Sequence, residues 1–159
     1  MNHDSKHPVL GVGIILLRNN KVLLGRRLGP RNPGEFGLPG GFLEKMETFE
    51  GCARRELDEE TGLNGFDLYP VSSVRWGEGQ DYYFDFIFCA ESLVGEPVVK
   101  EKDRTESWDW FEINNLPAPL YQPTRLALEK FINTQISGKL NTLLRKIVFR
   151  RRKVIWFED

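Results

Sequence analysis

The sequence predicts one α+β domain in which a mixed sheet carries flanking helices. Three observations lead there: stretches with the two-residue period of strands, two segments with helical spacing, and a Gly/Pro-rich loop between the first strands and the first helix. The chain has 159 residues, 40% hydrophobic and 28% charged, enough apolar material for a single core. That balance excludes a disordered chain, a collagen-like repeat and a disulfide-dependent mini-protein.

Residues 1–8 are polar and expected to be mobile, and no targeting segment is read there. The apolar run Val9 to Leu17 is shorter than the roughly 20 residues of a membrane span. It reads as a buried strand, turned by Asn19-Asn20 into a second strand over Val22-Leu23-Leu24. Residues 29–41 hold five glycines and three prolines, which dictate loop or a short irregular strand and let a ligand approach the backbone. Thr48 to Thr61 follows, with Phe49, Ala53 and Leu57 on one stripe, so a helix is expected there with Gly62 as its C-cap.

Tyr82, Phe84, Phe86 and Phe88 alternate with Tyr83, Asp85, Ile87 and Cys89, the period of a strand with one aromatic face. Trp108 and Trp110 repeat it in a shorter strand. After Pro123, the spacing of Leu126, Leu128, Phe131, Ile132 and Ile136 predicts a second helix ending near Gly138. Residues 9–137 are read as the domain and 138–159 as its basic extension. The extension carries seven basic against two acidic residues, a net +5, and the first 137 carry 15 against 21, a net −6.

Several chemistries fall away. The only histidines, His3 and His7, lie in the first eight residues, so a Ser or Cys nucleophile has no evident base. Cys52 and Cys89 have no zinc spacing, are too few for a disulfide framework, and fit a reducing cytoplasm as small buried hydrophobes.

What remains is an acidic cluster. Glu56, Glu59 and Glu60 stand at i, i+3 and i+4, which gathers three carboxylates on one helical face. Either the face is solvated, or the carboxylates bind a hard divalent cation through oxygen. Context decides: Gly41 is followed by Glu47, then by Arg55-Glu56-Leu57-Asp58-Glu59-Glu60-Thr61-Gly62-Leu63. This resembles the 23-residue Nudix box, Gly-x5-Glu-x7-Arg-Glu-U-x-Glu-Glu-x-Gly-U with U aliphatic, at every specified position. Seven fixed residue types coincide by chance at about one start in 10⁸.

The resemblance implies an α/β/α sandwich in which the box forms loop, helix, loop. It also implies hydrolysis of a diphosphate linkage in a nucleotide with Mg²⁺ or Mn²⁺. It extends over most of residues 9–132 and looks closest to MutT-type nucleoside triphosphate diphosphatases, which release nucleoside monophosphate and pyrophosphate. By carry-over, Glu56, Glu59 and Glu60 are the metal ligands, aided by the Gly40 carbonyl, with Glu44 a further carboxylate acting through water. Glu47 and Arg55 are a structural pair tying loop to helix. Met46 departs from the glycine frequent in the family, so the loop either avoids positive φ there or stores strain.

The general base is a box glutamate, Glu56 or Glu59, or a later-loop carboxylate among Glu101, Asp103, Glu106 and Asp109, with Glu106 preferred outside the box; a solvated charge is the alternative reading of Glu106. Arg26 and Arg27 are candidates for phosphate or base contacts, or plain strand-end arginines. Phe36 is a candidate platform for a base, whereas most of the 82–88 aromatic ladder reads as core. Markers of ADP-ribose and dinucleoside-polyphosphate hydrolysis are missing after the box, which favours simple nucleotides.

Three other readings stay open: an ADP-ribose or nucleotide-sugar diphosphatase, an RNA 5′ pyrophosphohydrolase using the basic extension, and a non-catalytic nucleotide-binding module. The last is disfavoured by the full set of box carboxylates. Homodimers are frequent among the relatives, and no membrane partner is expected.

Overall fold

The computed structural model describes residues 8–65, 67–78, 81–91 and 95–136. Almost all of the expected mobile N-terminus and all of the basic extension therefore lie outside the described residues. Strands β1 (Val9–Arg18) and β2 (Lys21–Arg27) are joined at Asn19 and Asn20, which both take positive φ (47° and 64°) as a tight hairpin turn requires. β3 (Phe36–Gly37) and α1 (Phe49–Thr61) follow. Then come β4 (Tyr69–Glu78), β5 (Asp81–Glu91), β6 (Thr105–Glu112) and α2 (Gln122–Ile136).

The sheet runs β3-β2-β1-β5-β4, with β6 on the opposite edge of β2. β1 and β5 are parallel and the other pairs antiparallel, so the mixed sheet expected from sequence is present. Its faces are buried separately. Val12, Ile14, Leu16 and Leu23 pack with Cys52, Ala53 and Leu57 of α1, whereas Ile15, Val22, Leu24, Val74 and Ile87 pack with Ala127, Leu128 and Phe131 of α2. The α/β/α layering follows from this alternation of buried side chains. Among the described residues no helix is long and apolar enough to cross a membrane.

One strand escaped the sequence reading, which placed no element between Gly62 and Tyr82. β4 fills it, and its alternation is broken by Pro70 and by a register shift between Pro70 and Ser72. Glu106 and Asp109, expected on a loop, lie within β6. Of the two alternatives at Met46, the loop takes the second: φ is 66° at a side chain 94% exposed.

The feature that positions the site is a split in the sheet. β1 and β2 pair only at Leu17–Val22 and Arg18–Lys21, then part. The Gly/Pro loop enters the gap. Phe36 and Gly37 pair with Arg26 and Gly25 on one side, while the carbonyls of Pro39 and Gly41 accept from the N–H groups of Ile14 and Val12, both at 2.9 Å. The backbone at residues 39–41 is thereby held like a strand beside the sheet.

Candidate active site

Helix α1 is fixed at both ends. Thr48 caps it, its side chain accepting from the Gly51 N–H at 3.0 Å, and Gly62 closes it in the left-handed conformation, donating to the Asp58 carbonyl at 2.9 Å. Its buried stripe, Cys52, Ala53, Leu57 and Thr61, faces the sheet. Glu56 and Glu60 lie toward the loop in the split, and Glu59 reaches Arg55 from the half-exposed side of the helix. The Gly40 N–H donates to Glu60 Oε2 at 2.9 Å, and the Trp108 indole N–H of β6 donates to the Glu60 carbonyl at 3.1 Å. A Cβ at Gly41 would overlap the Glu56 carboxylate, so only glycine lets that carboxylate lie against the loop.

Arg55 is the hub. Its Nε and Nη2 donate to the two oxygens of Glu47, both at 2.9 Å, and Nη2 also donates to the Phe42 carbonyl at 3.1 Å. Nη1 donates to Glu56 Oε1 at 2.7 Å and Glu59 Oε2 at 3.1 Å. The fork matches a carboxylate in both position and direction, which a lysine would not. These bonds, with one from the Glu44 N–H, hold the Glu47 carboxyl down at about 2 and push the Arg55 guanidinium up.

Glu56 and Glu60 move the other way. Burial raises both, Glu60 to about 8, against the lowering bonds from Arg55 and from the Gly40 N–H respectively; the charges of Glu101 and of the neighbouring box glutamates add to the rise. Glu59 is half-exposed. Among the described residues no three acidic, His or Cys side chains converge as a preformed metal cage. One oxygen of Glu56 and one of Glu59 accept from Arg55. The donor set nonetheless fits a hard divalent cation, because all three groups are carboxylates and two are destabilised as anions by burial and mutual repulsion.

The other candidates fall into two places. Arg26 pairs with Glu106 at 2.8 Å and, with Phe36, Ser107, Asp109, Phe111 and Pro119, lines an open cleft of about 520 Å³. Phe36 packs edge-on against Phe111 at 5.3 Å. Glu106 is thus engaged by Arg26, and Glu101 is the later carboxylate whose charge reaches Glu56 and Glu60. Asp103 and Glu44 are exposed. Arg27 lies elsewhere, its guanidinium 4.1 Å from the centre of the Tyr121 ring, and its charge also reaches Glu60.

Beside Arg27 is a group that the sequence reading missed. Trp76 stacks on Tyr83 at 4.1 Å, Tyr121 meets Trp76 edge-on at 5.4 Å, and the Trp76 indole N–H donates to Asp85 at 2.6 Å. Asp85 is 8% exposed, and burial raises it to about 6. The available signal was an acid set between aromatic residues, Phe84 and Phe86, in the middle of the strand.

With this geometry in view, comparison decides the family. The NUDIX domain pattern matches residues 7–132. The chain belongs to the Nudix family of hydrolases. An ADP-ribose pyrophosphatase of Methanocaldococcus jannaschii is 35% identical over 113 residues, 70% of this chain and 66% of that protein. The NAD-capped RNA hydrolase NudC of Pseudomonas aeruginosa is 34% identical over 115 residues, 70% of this chain and 40% of that protein. An oxidized purine nucleoside triphosphate hydrolase of Danio rerio is 31% identical over 106 residues, 65% of this chain and 66% of that protein. The chain thus spans about two thirds or less of these relatives. Among solved structures, a MutT NUDIX hydrolase from Burkholderia pseudomallei superposes with a TM-score of 0.74 at 32% identity, over 78% of this chain and 98% of that one. The Nudix fold applies to this chain, and hydrolases of this family generally use divalent metals.

Proposed function

We propose that this Nudix protein hydrolyses a nucleoside triphosphate, (d)NTP plus water giving (d)NMP plus pyrophosphate, in a catalytic unit spanning residues 9–137 of a cytoplasmic protein. The observation that carries the reading is the meeting of Glu56 and Glu60 with the strand-like loop at Gly40 and Gly41, with Glu59 joined to Glu56 through Arg55. Glu56, Glu59 and Glu60, with the Gly40 carbonyl, would hold Mg²⁺ or Mn²⁺. A bound divalent cation neutralises phosphate charge and lowers the pKa of a coordinated water.

The chain's own residues supply orientation and proton transfer. Arg55 fixes Glu56 and Glu59 through one nitrogen while Glu47 fixes Arg55, so the carboxylates are aimed before substrate arrives. The Gly40 N–H aims Glu60. The proton of the attacking water would pass to a carboxylate on this side, Glu59 of the box or Glu101, whose charge reaches Glu56 and Glu60, whereas Glu106 lines the separate cleft with Arg26. Arg27, whose guanidinium stacks on Tyr121 and whose charge reaches Glu60, would make a charge-assisted contact to phosphate.

The zebrafish relative supports a triphosphate substrate. The archaeal relative favours a second reading, ADP-ribose hydrolysis, and the Pseudomonas relative keeps capped RNA open. A panel of dNTPs, oxidised dNTPs, ADP-ribose and NAD-capped RNA, assayed with Mg²⁺ for pyrophosphate and monophosphate release, separates them. Pyrophosphate from a triphosphate, reduced about 10²–10³-fold in Glu59→Gln, is the expected result. Turnover of ADP-ribose alone would replace the first reading with the second.

A further inference from the structure

The aromatic group beside Arg27 has more order than a hydrophobic core requires. Its rings form a row: Phe42 lies over Tyr83 at 5.7 Å and 22°, Tyr83 over Trp76 at 4.1 Å and 13°, and Tyr121 abuts Trp76 edge-on. The row is reachable from solvent, since Phe42 is 43% exposed and Tyr83, Trp76 and Tyr121 are half-buried. Two arginines flank it, Arg31 at 5.7 Å from the Tyr83 centroid and Arg27 at 4.1 Å from that of Tyr121. The Phe42–Tyr83 pair is wider than the contact spacing of Tyr83 and Trp76. Opening it by little more than an ångström gives the roughly 7 Å that a flat ring needs between two aromatic faces.

Asp85 lies two residues beyond Tyr83 on the same face of β5. One carboxylate oxygen is held by the Trp76 indole, which is itself in the stack. The other approaches the backbone of Gly11, so closely that a Cβ there would lie 2.6 Å from it, 2.9 Å from the Gly41 carbonyl oxygen and 3.3 Å from the Phe42 ring. Asp85 thus sits at the foot of the Phe42–Tyr83 gap, next to the box loop. No described cation pairs with this carboxylate. A buried acceptor in that position discriminates strongly between ligands that bring N–H donors and ligands that do not, because an unmatched partner leaves its second oxygen without a donor.

We propose that Phe42 and Tyr83 clasp the nucleobase and that Asp85 is a specificity-determining residue for bases presenting a ring N–H beside an exocyclic amine, the guanine edge. The two adjacent donors of that edge suit the two oxygens of one carboxylate. This rests on the nucleotide-hydrolase reading above. It adds the base that the box residues have no means to choose.

The test compares dGTP with dITP, which lacks only the 2-amino group, in the wild-type protein, Asp85→Asn and Phe42→Leu. Wild type is expected to favour dGTP by 10-fold or more in kcat/KM, and Asp85→Asn to bring the ratio within threefold. Phe42→Leu, at an exposed ring, is expected to weaken both substrates alike by 10-fold or more. A parallel titration with GMP and IMP, read by Trp76 fluorescence against a Trp76→Phe blank, measures the same preference without turnover. Equal use of dGTP and dITP by wild type, or a preference surviving in Asp85→Asn, overturns the proposal while leaving the hydrolase reading intact. Absence of any triphosphate turnover overturns the hydrolase reading, and the GMP/IMP titration then decides the base preference alone.

Discussion

Two of this protein's arginine–glutamate pairs, Arg55–Glu47 and Arg26–Glu106, do different things. Arg55 and Glu47 are mostly buried, with side chains 23% and 16% exposed, and meet through two parallel bonds while Arg55 also serves Glu56, Glu59 and the Phe42 carbonyl. Arg26 and Glu106 are each 48% exposed and meet through a single bond. Both pairs are short, so distance does not separate them. The number of partners and the exclusion of water do: the first pair moves the titration of both its members, while exposed single bonds are screened and contribute little. An ion pair organises a site when it is shared among several groups that have nowhere else to go.

The largest expected effect is at the hub. Arg55→Gln keeps some hydrogen bonding but leaves Glu47, Glu56 and Glu59 without their common cation. A Tm drop of about 5–10 °C and a fall of about 100-fold in kcat/KM are expected, read by thermal denaturation and by initial rates. A variant with wild-type Tm would place Arg55 on a par with Arg26 and erase the contrast.

Next in size is the response to metal. Glu60 is raised from its ordinary 4.5 to about 8, so its contribution to stability is fully present below pH 4.5 and is lost as pH rises through 8. A divalent cation favours the charged carboxylate and should offset that loss. Mg²⁺ at about a hundred times its Kd is therefore expected to raise Tm by about 5–10 °C at pH 8 and by much less at pH 5. Glu60→Gln should remove the difference between the two pH values, and an unchanged difference would take Glu60 out of the metal site.

Glu47 has the opposite sign. Its carboxyl is depressed to about 2, so the stability it contributes is present above pH 4.5 and lost as pH falls toward 2. Glu47→Gln should lower Tm by about 3–5 °C at pH 7 and flatten this acid limb, as differential scanning at pH 2.5–7 would show. An acid limb as steep as that of wild type would assign it to other carboxylates.

These residues were legible in the sequence because each is specified by neighbours along one loop and helix. Glu47, Arg55 and the three glutamates lie within 14 positions, and helical spacing alone brings the carboxylates to one side. The Asn19-Asn20 turn, both helices and the mixed sheet were legible for the same local reason. β4 was not, since Pro70 and the register shift after it disrupt the two-residue period on which the reading of strands depends. The row of Phe42, Tyr83, Trp76 and Tyr121 joins four separate stretches of chain, and Asp85 finds its partner across a hairpin. Pairing of that kind belongs to the register of the sheet and leaves no pattern along the chain.

The same limit explains why Arg26 and Arg27 looked equivalent, and their comparison gives the smallest effect expected. Adjacent in sequence, they are separated by a bulge: Arg26 pairs with Ser107 across the ladder and Arg27 with Thr105, skipping Glu106. One arginine therefore serves the open cleft with Glu106, while the other reaches Tyr121 and the field of Glu60. Arg26→Gln should change Tm by no more than about 2 °C, because an exposed pair is lost. Its kcat/KM should stay within about twofold of wild type, while Arg27→Gln, losing a charge-assisted phosphate contact, falls about 10-fold. Steady-state kinetics on the two variants reads the contrast directly. The reverse order would move substrate to the cleft of Arg26 and Phe36 and leave the aromatic row as core.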